Sequence, residues 1–121
     1  MVNRNQGSGT RILIDQILGG ARPTGYAIQS RNHNAVAAAV TQGRADWGVT
    51  IRTVAEQSDL GFLPLTEERY DFVTPKSRSL RPAVLALLEL LADEQVRRTL
   101  SMKGFMFSDS ARSDCRDAIG C

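Results

Sequence analysis

The sequence predicts an α/β fold. Short apolar runs alternate with stretches of helical period, glycines close the helical stretches, and strand-like runs lead through polar loops into helices. Val2-Asn3-Arg4 reads as the end of a strand. A polar loop, Asn5-Gln6-Gly7-Ser8-Gly9-Thr10, leads into a helix over 11–18, with Leu13, Ile14, Ile17 and Leu18 on one stripe. Gly19-Gly20 ends it as a glycine just past a helix does. Pro23-Thr24-Gly25 is a turn, and 26–29 a short strand.

Asn34 suits the N-cap of a second helix over 35–42, which Gly43 closes. Its alanines and valines are small enough for close packing on a sheet. The run 45–50 reads as a strand, 51–57 as a short helix broken by Ser58-Asp59, and 60–65 and 69–74 as two more strands. Pro64 places the first of these two at an edge or ends its ladder there. Pro82 opens a helix whose stripe is Val84, Leu87, Leu88 and Leu91. Asp93 caps another that runs to Ser101 and ends at Lys103-Gly104, and 105–107 form a last strand or a packing arm. Residues 1–107 are therefore expected to form one domain, with 108–121 a disordered polar tail.

A 121-residue chain with 42% hydrophobic and 23% charged residues can bury a core and is not globally disordered. The net charge of +2 is spread along the chain without a basic run, so direct nucleic-acid binding is not expected. The apolar run 83–92 is interrupted by Glu89 and too short to cross a bilayer. Residues 1–20 lack the apolar core and cleavage site of a secretory signal, so a cytoplasmic location is expected. Cys115 and Cys121 lie in the tail, far in sequence from His33, the single histidine; neither a metal site nor a cofactor is expected.

The chemistry concentrates before two helices. Ser8, Gly9 and Thr10 open the first, where free backbone N–H groups and the aligned peptide dipoles favour an anion. Arg4 and Arg11 are near enough to add charge, although Arg11 could equally face solvent. A plain capped helix with a flexible leading loop is the competing reading. The phosphate-loop pattern fails because no lysine follows Gly9, and the dinucleotide fingerprint fails because Ile12 stands where its third glycine belongs. His33, Asn34 and Ala35 open the second helix, also after a strand; two such termini open on one sheet edge. Thr50 and Ile51 are candidates by position, at the carboxyl end of a strand. Trp47 reads as core rather than as a stacking platform. Glu67, Glu68 and Asp71 read as a solvated turn, and no catalytic residues are expected.

The stretches 2–11 (VNRNQGSGTR), 30–40 (SRNHNAVAAAV) and 42–49 (QGRADWGV), continued by Tyr70-Asp71-Phe72-Val73, resemble the PBP-like, type 2 periplasmic-binding-fold domain. That domain is fused to MoeA-type molybdopterin-biosynthesis proteins and to helix-turn-helix regulators. It is related to molybdate and tungstate receptors and to LysR-type effector domains. The resemblance implies a three-layer α/β/α lobe with a mixed, mostly parallel sheet, and a ligand held at helix N-termini. It carries Ser8, Gly9 and Thr10 onto a first ligand-facing loop, His33, Asn34 and Ala35 onto a second, and Thr50-Ile51 onto the strand end nearest the anion.

It also implies that the first lobe is largely absent, and that apolar surface on the last helices leads to a homo-oligomer. The expected function is binding or sensing of a molybdate- or tungstate-like oxyanion. The alternatives are a non-catalytic, assembly-directed domain of a MoeA-type protein and a structural remnant that binds nothing.

Overall fold

A computed structural model describes residues 1–107. The tail 108–121, expected to be disordered, and its two cysteines lie outside the described residues. The chain divides into a first compact unit, Met1–Leu65, and a second that begins at Thr66.

The first unit is built on parallel backbone pairing. Strand β1 (Asn3–Arg4) pairs with β2 (Gln29–Ser30), Asn3 opposite Gln29 and Arg4 opposite Ser30. Hydrogen bonds from Asn3 N to Ile28 O and from Asn5 N to Ser30 O extend the ladder at both ends. On the other side of β1, Val2 forms an isolated parallel bridge with Gly48, and Val2 N donates to Trp47 O. The α/β class is thus realised with a very short sheet.

Each parallel segment leads into a helix: α1 (Gly9–Leu18) after β1, α2 (His33–Thr41) after β2, and α3 (Arg52–Gln57) after Gly48. Helix α1 is capped by Ser8, whose Oγ accepts from Arg11 N, and ends at Gly19 with a left-handed φ of 55°. Its buried face differs from the expected apolar stripe. Ile14 is buried, Leu13 and Leu18 are half-buried, and Ile17 is exposed, while Thr10 and Arg11 turn inward. The buried face is displaced towards Arg11, which donates to the Arg4 carbonyl in the interior and to Asp15 and Tyr26 at its margin.

Helix α2 begins two residues earlier than expected. Asn32, not Asn34, is its cap, with Oδ1 accepting from Ala35 N. Asn32 has the extended backbone of a capping residue, whereas Asn34 already lies within the helix. Val36 and Ala39 of α2 pack with Val2 as the core cluster, with Val40 and Ala45 against it. Gly48 lies where this core is tightest. A Cβ there would stand 2.6 Å from Val36 Cγ1 and 2.9 Å from Val2 Cγ1.

Several expected strands do not form. Residues 26–27 belong to the turn started by Pro23, with Tyr26 N donating to Pro23 O, so the strand begins only at Gln29. The run 45–50 contributes the single bridge at Gly48. Residues 60–65 and 69–74 are irregular; Leu63, Tyr70, Phe72 and Val73 are exposed. Alternating apolar residues make a strand only where a neighbouring strand takes up their N–H and C=O groups. Among the described residues these segments have no ladder partner.

In the second unit a short 3-10 turn (Lys76–Arg78) precedes α4 (Pro82–Ala92) and α5 (Glu94–Met102), which pack on each other. Pro82 opens α4, and Asp93 caps α5 by accepting from Val96 N, both as expected. Val84, Leu88 and Leu91 are half-buried, whereas Leu85, Leu87 and Leu90 remain exposed. Residues 105–107 form an arm rather than a strand, and Arg97 lies over the Phe107 ring at 4.7 Å. No helix among the described residues is long and apolar enough to cross a membrane.

Gly48→Ala should destabilise the first unit by about 1–3 kcal/mol, because the added methyl overpacks two core valines. Gly9→Ala, whose Cβ meets nothing within 4 Å, should change stability by less than about 0.5 kcal/mol. Urea midpoints of the two variants measure the contrast, and equal midpoints would refute this account of the core.

Candidate functional site

Parallel pairing of β1 with β2 brings the beginnings of α1 and α2 to the same sheet edge, the carboxyl edge where ligands of α/β folds bind. The first N–H groups of any helix lack intrahelical acceptors. Those of Gly9, Thr10 and Asn34 find no acceptor among the described residues. Ala35 N–H, by contrast, is taken by Asn32.

The Ser8 hydroxyl, expected to face a ligand, is engaged locally: Oγ donates to Asn5 O while accepting from Arg11 N. Thr10 is buried. Thr50 Oγ1 donates to His33 O at 3.3 Å, tying the segment after Gly48 to the start of α2. Ile51 precedes α3 as its N-cap residue, without a side-chain cap bond. The structure therefore gathers His33, Asn34 and Thr50, sets Ser8, Gly9 and Thr10 at the neighbouring helix start, and offers backbone donors more than hydroxyls.

Two arginines flank this edge, and their surroundings are opposite. Arg11 neither faces solvent nor lends free charge. Its Nε donates to both Asp15 oxygens at 3.0 and 2.9 Å, Nη2 to Tyr26 Oη, and Nη1 to Arg4 O. Tyr26 Oη in turn donates to Asp15 at 2.8 Å, and the Arg11 guanidinium lies 4.8 Å from the Tyr26 ring centre. This triad is a staple between α1 and the turn that leads into β2. The i, i+4 spacing of Arg11 and Asp15 is a sequence signal for that pair, though not for Tyr26.

Arg4 is only 8% exposed and has no carboxylate partner among the described residues. Its Nη1 lies 3.2 and 3.4 Å from the two ring nitrogens of His33, within hydrogen-bond reach of the imidazole. Nη2 donates to Arg31 O at 3.4 Å, and Nε is buried without an acceptor. Buried charges are ordinarily paired, because taking a lone ion out of water is costly. Asn5 Oδ1, the next side chain along, is also buried without a donor.

At the other end of α1, Asp15, Leu18, Gly20, Ala21, Arg22 and Tyr26 line an open groove of about 280 Å³. Asp15, the lining residue nearest the start of α1, lies about 9 Å along the helix from Gly9, so the groove is distinct from the helix N-termini. Among the described residues no group of three or more His, Cys, Asp or Glu could hold a metal ion.

A sequence profile described as a PBP superfamily domain matches residues 1–92. The chain belongs to the PBP superfamily. It is 35% identical over 106 residues to the uncharacterised protein YvgK of Bacillus subtilis, covering 84% of this chain and 34% of that protein. It is 27% identical over 90 residues to an uncharacterised Clostridium pasteurianum protein encoded in the 5′ region of a 2Fe-2S ferredoxin gene, covering 73% of this chain and 80% of that one. The chain thus spans about a third of the length of the first relative. No solved structure matches it. Membership in the superfamily agrees with ligand binding in general and leaves the ligand's chemistry to be argued from the residues.

The Asp15 carboxyl titrates below the ordinary aspartate value because of the Tyr26 hydrogen bond first, then the hydrogen bond and charge of Arg11. Its contribution to stability is complete above the ordinary aspartate value and is lost as pH falls through the lowered one. Tyr26→Phe should move the Asp15 midpoint upward in a carboxyl-detected NMR titration. An unchanged midpoint would mean that Arg11 alone holds the carboxylate.

Proposed function

We propose that this chain is a binding or sensing module for a small oxyanion, gripped at the N-termini of α1 and α2. The observation that carries the reading is the parallel β1–β2 pairing, which opens both helix starts on one edge with backbone N–H groups to spare. Each terminus is worth about 0.3–1 kcal/mol towards an anion at the surface and up to about 2 kcal/mol when partly buried. Two together suit a compact ligand whose oxygens accept from several directions. The proposed role is binding, with no reaction assigned to the module.

Molybdate or tungstate is the ligand class that the PBP-like resemblance favours, which links the module to molybdenum metabolism or its regulation. The lobe is read as one three-layer half of a two-lobed binding domain in the cytoplasm. Exposed Leu85, Leu87 and Leu90 on α4 favour association of the chain with itself.

Thermal unfolding with molybdate, tungstate, sulfate and phosphate at matched ionic strength tests the reading. Ligand at a hundred times its Kd adds about 2.7 kcal/mol of stability. For a domain of this size that raises Tm by several degrees. A rise confined to molybdate and tungstate supports the metabolic assignment. No rise with any of the four contradicts binding by this chain and favours a structural remnant.

A further inference from the structure

We propose that Arg4 supplies the fixed positive charge of the oxyanion site and makes the site select a tetrahedral dianion over a monoanion of the same shape. This rests on the anion-site reading above and adds to it the residue that sets charge specificity. Two arginines of the first unit are buried, Arg4 and Arg11. Arg11 is neutralised by Asp15 and held by Tyr26, whereas among the described residues the Arg4 guanidinium has the His33 ring and the Arg31 carbonyl as partners and no carboxylate.

The guanidinium of Arg4 also stands in the wrong place for a purely structural cation. It touches His33, the first residue of α2, where the aligned peptide dipoles are already positive. The start of α1 opens on the same edge. The helix dipoles oppose a cation placed there, the Arg31 carbonyl and the His33 ring offset this only with partial charges, and Nε is buried with no acceptor among the described residues, so an arriving anion would complete the set. One full charge and two helix N-termini, each equivalent to roughly half a charge, sum to about +2, which matches a dianion.

The contacts of Arg4 also make it a positioning group for the second ligand-facing loop. It bridges the end of β1 to Arg31 and His33, while Thr50 holds His33 O from the other side. Arg4 therefore fixes where the α2 N-terminus points as well as what charge it meets.

Sulfate and perchlorate are both tetrahedral and differ by one charge, so calorimetric titration of the intact chain with each, at constant ionic strength, reads the selection directly. Wild type should bind sulfate at least about tenfold more tightly than perchlorate. Arg4→Gln should weaken sulfate by about tenfold or more and level the two ions, whereas Arg4→Lys should keep the preference. Far-UV circular dichroism checks that the variants fold; should Arg4→Gln not fold, the wild-type ion pair and Arg4→Lys decide. Wild-type preference retained in folded Arg4→Gln, or equal wild-type binding of the two ions, overturns the role of Arg4 while leaving an anion site in place. A wild-type chain that binds neither these ions nor molybdate overturns both readings.

Discussion

Parallel pairing of two very short strands organises the whole first unit. Asn3 and Arg4 meet Gln29 and Ser30 in register, and since each strand leads directly into a helix, both helices must start from the same edge. With so few ladder bonds, the pairing is held from its flanks. Asn3 is wholly buried, its amide nitrogen donating to Tyr26 O and its Oδ1 accepting from Arg4 N. Val2 inserts between Gly48 and α2, and the Arg11–Asp15–Tyr26 triad ties α1 to the turn before β2. Once these contacts are set, the positions of Gly9 and His33 follow.

The contrast between the two buried arginines separates support from site. The same side chain is neutral in effect where a carboxylate lies one helical turn away, and without a counter-charge among the described residues where an imidazole and a carbonyl adjoin it. Burial alone does not distinguish them. The counter-charge does, and it directs the search for a ligand to the edge that carries Arg4.

The parts of this arrangement legible in the sequence were those with local signatures. Ser8 before an apolar helix, Gly19 after it, Pro82 at a helix start and Asp93 between two helices all act within one or two turns of chain. The α2 cap was displaced by two residues because Asn32 and Asn34 are equivalent in type, and only the backbone conformation distinguishes them. Strand predictions at 60–65 and 69–74 failed for a non-local reason: period-2 apolarity needs a partner strand, which a single segment does not encode. Arg4 against His33, 29 residues apart, and Arg11 against Tyr26 are likewise invisible to local pattern.

The central claim is that an anion meets the backbone at two helix starts on one edge. Amide-detected NMR during a sulfate titration tests it most directly. The account predicts that the largest, saturable shifts fall on Gly9, Thr10, His33 and Asn34, with Ala35 and the groove at Asp15 and Arg22 little affected. Shifts centred on that groove, or weak shifts spread over exposed lysines and arginines, would contradict it.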